Sequence, residues 1–380
     1  MRKKDKIWST LLLSVSLLTL VSCGSNTQDS KDQDVVPVTI RTVSMFGGTD
    51  PNAVVYEKLR EGFQMQYPYI TVDDESRVSD EEWKSAVAAD FAAGNEPDVL
   101  QFFTDATANQ LIAMDKFVSI EEIRQEYPDY AADTYEWALE QVANRDGVCR
   151  AVPTTGFWEG LYCNKDIFEQ YKVPLPTDWT SFAYAIETLE SKGVIPIACS
   201  LTNVPHYWME YFLLYSGGVE NYQKDFDTVS QEWVDGLRQF HTLRGMLAFP
   251  RNTDTIDNDY ARTLFINKKA AMILEGNWFF SAVEDQENTV VVPFPGLENS
   301  PVHETVMVGG MTSGFYITRR AWNDPDKRDA AVKYVMAQTS KEAVQRYWEH
   351  GGGITTTATA VEDDMDRTPL AKSARKYVES

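Results

Sequence analysis

The spacing of apolar residues changes repeatedly along the chain, and the changes separate strand-like from helix-like stretches. An apolar run fills Ile7–Val21, and a polar stretch without periodicity follows from Gly24 to Pro37. From Val38 to Val43 the composition is that of a strand. Asp50-Pro51 then supplies an N-cap and a proline for the first turn of a helix running toward Tyr67. Ile70–Val72 predicts a second strand, Ser79–Glu82 a capping box for a helix ending at Gly94, and Asp98–Phe103 a third strand. Strands interleaved with helices of about 10–15 residues predict βαβ units and a mainly parallel sheet covered on both faces.

The middle is richer in helix. The pattern predicts helices near Asp133–Asn144, Lys165–Tyr171, Trp179–Lys192, Pro205–Tyr215 and Val229–Arg244. Strands are expected around Val148–Val152, Phe157–Cys163, Ala270–Glu275, Thr289–Val292 and Phe315–Ile317, and Asp324-Pro325 caps a late helix. There is no internal repeat.

The amino terminus has a different logic. Arg2, Lys3, Lys4 and Lys6 precede the apolar run, and small residues close it, as in a secretory signal. A membrane-spanning helix is the weaker account, because spanning takes about 20 apolar residues. Leu20-Val21-Ser22-Cys23 resembles a bacterial lipobox. That likeness implies a signal peptide over 1–22 and a diacylglycerol on Cys23, holding the exported chain to the outer face of the cytoplasmic membrane. An ordinary export signal with an incidental cysteine is the alternative. Residues 23–37 read as a flexible tether, about 45 Å long if fully extended.

A chain of 380 residues exceeds the roughly 250–300 at which one core stops growing, so two domains are expected, and 43% hydrophobic residues can fill both. The formal charge is −22; residues 1–22 hold four basic residues and one acidic, so their loss leaves −25. Such a chain repels polyanions, which argues against nucleic acid as a partner. After Cys23 only Cys149, Cys163 and Cys199 remain, in no zinc spacing and no complete disulfide framework; one bond or buried thiols are both open. Four scattered histidines offer no metal motif, and neither a Walker loop nor a Gly-x-Ser-x-Gly elbow occurs. No cofactor is expected.

Four segments carry a family resemblance: Glu61–Val72, Ala92–Val99, Leu161–Phe168 continuing to Val173–Phe182, and Phe265–Trp278. Their order and spacing are similar to the extracellular solute-binding proteins of ABC importers, in the group that takes up sugars. The likeness covers about residues 38–357. It implies two hinged α/β lobes of the periplasmic-binding-protein type, each with a mainly parallel sheet. One would be built from 35–154 with 310–343, the other from 155–309 with 344–380. Lys268 departs from the pattern, since glycine is usual there, and Gly353–Thr355 lacks a common proline. The chain also ends early, which implies a short or missing terminal helix in the second lobe.

A sugar presents an apolar C–H face to aromatic rings and a rim of hydroxyls to carboxylates, amides and backbone groups. Trp278, just past a strand end, matches the position where relatives stack a sugar; the competing account is a core tryptophan. Glu275 at that strand end is a candidate hydroxyl acceptor. Trp158 sits at the expected first crossing, and Phe102 and Asp105 follow the Pro-Asp-Val strand. Phe46 and Gly47 end the first strand, either at a ligand or in a plain turn. Gly310 and Met311 stand at the expected second crossing, Glu75 and Arg77 at the second strand's end, and Trp348 before Gly351. Trp83, Trp137, Trp179, Trp233 and Trp322 read as packing.

The leading expectation is a monomer that captures a carbohydrate, closes on it and delivers it to permease subunits, without covalent chemistry. A phosphorylated polyol, a polyamine or a peptide would be an alternative ligand. A glycosidase would need two carboxyls facing one bond at about 5–10 Å, and no motif argues for it.

Overall fold

The computed structural model describes residues 36–222, 228–358 and 368–379. The lipobox, Cys23 and nearly all of the tether lie outside them. From Pro37 onward the chain forms one compact unit, built on two sheets.

The first sheet comprises β1 (Val38–Ser44), β2 (Ile70–Asp74), β3 (Val99–Phe103), β4 (Ala151–Val152) and β10 (Ser313–Ile317), in the order β2-β1-β3-β10-β4. Here β1 is parallel to both β2 and β3, and β10 runs antiparallel to β3 and β4. The second holds β5 (Thr155–Asn164), β6 (Ile195–Ala198), β7 (Ala270–Gly276), β8 (Thr289–Val292), β9 (Gly309–Gly310) and β11 (Ile354–Thr355). It is organised by β5, which is antiparallel to β7, β8, β9 and β11; only β6 and β7 run parallel. The expectation of a mainly parallel sheet in each lobe therefore needs correction: the second sheet is mainly antiparallel, and in the first only two of four pairings are parallel. Strands β9 and β11 reach β5 on segments passing between the sheets, not on the crossover helices that make strands parallel.

The chain passes between the sheets three times, at β4–β5, at β9–β10, and ahead of β11. Hydrogen bonds from side chains and from the main chain fix these passages. Met311 N–H donates to Gln141 Oε1 (3.2 Å), Tyr135 N–H to Thr356 O (2.8 Å) and Trp158 Nε1 to Gly352 O (2.7 Å).

Local chemistry accounts for the flanking helices. Asp80, one residue beyond the expected cap, accepts from Trp83 N at 2.7 Å, and Gly94 closes that helix at φ +72°. Asp178 and Ser181 form a reciprocal capping box. Buried Asp98 of the Pro-Asp-Val segment accepts from Arg41 N–H (2.8 Å) and Lys327 Nζ (2.7 Å), tying β1 and helix Pro325–Gln338 to the start of β3.

One helix departs from expectation, and the terminal helix is short rather than missing. Lys341–Gly351, assigned from residue 344 onward to the second lobe, packs Tyr347 into the first core, 5.4 Å from the Phe46 ring. A terminal helix is present: Pro369–Glu379 buries Leu370, Ala374 and Tyr377 against the second sheet. Lys268 takes φ +56°, a backbone region that favours glycine, and its ammonium pairs with Asp166 and Asp285. Cys149, Cys163 and Cys199 are free thiols. Among the described residues, no helix is long and apolar enough to cross a membrane.

Candidate ligand-binding site

Three partly exposed rings gather where the second sheet meets helix Pro205–Gly217. Trp278 lies in the tight turn after β7, its ring centroid 5.8 Å from that of Phe157 and 5.8 Å from that of Tyr207. Gly276 permits this arrangement, because a Cβ there would fall 2.3 Å from the indole. The indole is also held by its polar edge, Nε1 donating to Glu275 Oε2 at 2.8 Å.

Glu275 is fully buried. It accepts from Asn258 Nδ2 (2.7 Å), from Arg262 Nε (2.7 Å) and from Arg262 Nη2 (3.2 Å). With both carboxylate oxygens engaged, it orients Trp278 and leaves little to offer a ligand.

The acids beside the rings differ in kind. Glu159 of β5 is buried, and its Oε2 has no hydrogen-bond partner among the described residues. Burial, then the charges of Glu210 and Glu275, raise its pKa well above the usual range. Glu210, one helical turn beyond Tyr207, is pushed up to about 7 by burial and then by the negative charge of Asp105. Asp105 belongs to the first lobe, where its Oδ1 caps the short helix Ala106–Ala108, so this repulsion crosses between the lobes.

Two further pairs bridge the same space. Loss of water and the positive charge of Lys84 lower the pKa of His206. Asp50 is raised to about 6 by burial, against the opposing effects of the Asn52 N–H and of Arg262 from the other lobe. The facing surfaces thus carry rings and carboxyl groups on one side and Asp50, Lys84 and Asp105 on the other. Among the described residues no cluster of three or more His, Cys, Asp or Glu side chains could hold a metal ion.

Several expected site residues stand elsewhere. Trp158 is fully buried, stacked near Tyr162 and spending its N–H on Gly352. Phe102 is buried against Trp83, and Phe46 against Tyr56 and Tyr347. Gly47 approaches backbone closely, but that of its own chain: a Cβ would lie 2.4 Å from the Ser76 carbonyl carbon. Met311 is buried against Ala138 and Val142 at the second passage. Each lies at a strand end or a passage, as read from the sequence, but points inward.

Trp278, Trp348 and Gly310 are partly exposed; Asp105, Arg77 and Glu75 are exposed, with Glu75 4.0 Å from Arg41 Nε. The sequence reading missed Phe157, Tyr207, Glu159 and Glu210. Phe157 and Glu159 share a face of β5 by alternation, and Tyr207 and Glu210 share a helix face at three-residue spacing. Those periodicities were the available signal. Trp137, read as packing, is 41% exposed and lies over Tyr135 at 6.1 Å.

Residues 58–373 match the family model described as bacterial extracellular solute-binding protein. The chain belongs to that family. The solute-binding protein is also similar to the multiple sugar-binding protein of Streptococcus mutans, with 20% identity over 396 aligned positions covering 98% of this chain and 88% of the relative. Among solved structures, a chitin oligosaccharide binding protein superimposes with a TM-score of 0.77 at 18% identity, covering 90% of this chain and 86% of the other. Maltose-bound MalE3 of T. maritima gives 0.73 at 21% identity, with 90% and 86% covered. At such identities the structural likeness shows the fold: a two-sheet α/β solute-binding architecture.

Proposed function

We propose that this solute-binding protein captures a carbohydrate between its lobes and delivers it, unaltered, to the permease subunits of an ABC importer. The carrying observation is the Phe157–Trp278–Tyr207 cluster, partly exposed beside carboxyl groups, one of which, Glu210, feels Asp105 of the first lobe. Rings take the C–H face of a sugar, and carboxyl groups take its hydroxyls. The sugar ligands named for the relative and the two structural neighbours agree with this reading.

No bond in the ligand needs to change. Closure follows if the ligand makes more contacts with two apposed lobes than with one, which shifts an open–closed equilibrium. Export and a lipid on Cys23 complete the proposal, placing a monomer beside the permease on the outer face of the membrane. Trp278, Trp348, Gly310, Asp105, Arg77 and Glu75 are retained as candidate ligand contacts, joined by Phe157, Tyr207, Glu159 and Glu210.

A thermal-shift screen against mono- and oligosaccharides tests this, since a ligand that binds only the folded state raises the melting temperature. A hit is expected to lose at least about tenfold in affinity, roughly 1.4 kcal/mol, on Trp278→Ala with the fold intact. Unchanged affinity would remove Trp278 from the site.

A further inference from the structure

The charges acting on Glu159 and on Glu210 are negative, while on neighbouring Tyr207 the positive Arg262 acts as well. Glu159 is 2% exposed with an unpartnered Oε2. Around it, Glu275 is ion-paired with Arg262, though its charge still reaches Glu159. The Tyr211 and Tyr377 hydroxyls are committed to the main-chain oxygen of Glu159, at 2.7 and 2.8 Å. Glu210 stands next, with Asp105 beyond it across the lobes; Lys84, which also faces this space, acts on His206. Tyr207 and Tyr222 lie within the field of both glutamates.

We propose that Glu159, Glu210 and Asp105 form a subsite for a protonated amino group, so that the ligand is an amino sugar or another carbohydrate bearing a free amine. This rests on the carbohydrate reading above and narrows it. A buried carboxyl group lacking a cation is unfavourable unless it is neutral or paired. An ammonium brings three donors and a positive charge to such a corner. Tyr207 and Trp278 add ring faces that attract cations. A hydroxyl would fill one vacant acceptor but bring no charge to stabilise the ionised form of these carboxyl groups.

Capture of the amine carries a proton signature. In the empty site burial disfavours the charged form of Glu159, and Glu210, pushed up to about 7, is largely a neutral acid at pH 6.5. The bound ammonium favours the carboxylate, so a carboxyl proton leaves to the buffer while the amine keeps its own.

The test is titration calorimetry on the mature chain at pH 6.5, in two buffers of different ionisation heat. Probes are glucosamine, N-acetylglucosamine and glucose, their β-1,4-linked dimers, and spermidine. The amine-bearing sugar is expected to bind at least tenfold tighter than its acetylated and hydroxyl counterparts, with proton release. Glu159→Gln and Glu210→Gln, both isosteric, should each abolish that preference and reduce the release, with melting curves reporting an intact fold. Neutral sugars binding as tightly, or no binding by any amine-bearing probe, would overturn the subsite. Spermidine binding without any sugar would instead overturn the carbohydrate reading while leaving the subsite in place.

Discussion

Glu210→Gln is expected to make the protein less sensitive to alkaline pH. The Glu210 carboxyl titrates at about 7 in the folded chain against an ordinary 4.5. A folded pKa above the unfolded one means that the folded state binds the proton more tightly, so stability is present below the unfolded value. It is lost as pH rises from about 4.5, and the loss is complete above about 7. At about 1.4 kcal/mol per pKa unit the full effect is roughly 3 kcal/mol. Glu210 keeps some solvent contact, which reduces this to about 1–2 kcal/mol. The amide cannot ionise and escapes the penalty. Urea melts of both proteins at pH 4.5, 6 and 8 check this. The two should agree in relative stability at pH 4.5, and the glutamine form should gain about 1–2 kcal/mol by pH 8, a few degrees in Tm. A difference independent of pH would refute the reasoning, because it would place Glu210 in contact with bulk water.

Three other substitutions probe the framework. Gly47→Ala should destabilise by about 1–3 kcal/mol in urea melts, since its Cβ meets the Ser76–Arg77 backbone at 2.4–2.5 Å; an unchanged midpoint would mean that this loop yields freely. Lys268→Gly should be more stable than Lys268→Ala by about 1 kcal/mol, because glycine relieves φ +56° while both lose the same ion pairs; equal midpoints would show no strain there. Trp158→Phe should lower stability by about 2–4 kcal/mol through a cavity and an unpaired Gly352 carbonyl. Lost ligand affinity at unchanged stability would instead return Trp158 to the binding surface.

The alternation of strand and helix was legible because each element carries its own local signal. The first sheet followed from β-branched runs separated by capped helices, such as the one opened by Asp80 and closed by Gly94. Topology was less accessible. Whether β9 and β11 join β5 parallel or antiparallel depends on the route of Gly309-Gly310 and Ile354-Thr355 back to it, and two-residue strands have no period to read. The terminal helix escaped notice for another reason. Its buried residues, Leu370, Ala374 and Tyr377, are few and spaced by turns, so the segment reads as a polar tail until β8 supplies the surface it covers.

Site residues failed in one direction, and the failure has a physical cause. A strand end or lobe passage says where a residue sits, not which way its side chain points, and both faces of these sheets need aromatic bulk. Phe46, Phe102 and Trp158 went to the cores. The exposed sites went to neighbours that the sequence presents as ordinary: Phe157 adjoins Trp158 on the opposite face of β5, and Tyr207 adjoins Trp208, which is core. A one-residue shift along a strand exchanges wall for core. The carboxyl groups divide by the same rule of partners: Glu275 has Arg262 and serves Trp278, whereas the Glu159 carboxyl group has no cation assigned to it. A buried carboxyl group without a cationic partner is the least expected feature of a packed interior. The chemistry of this cleft is therefore to be sought at Glu159.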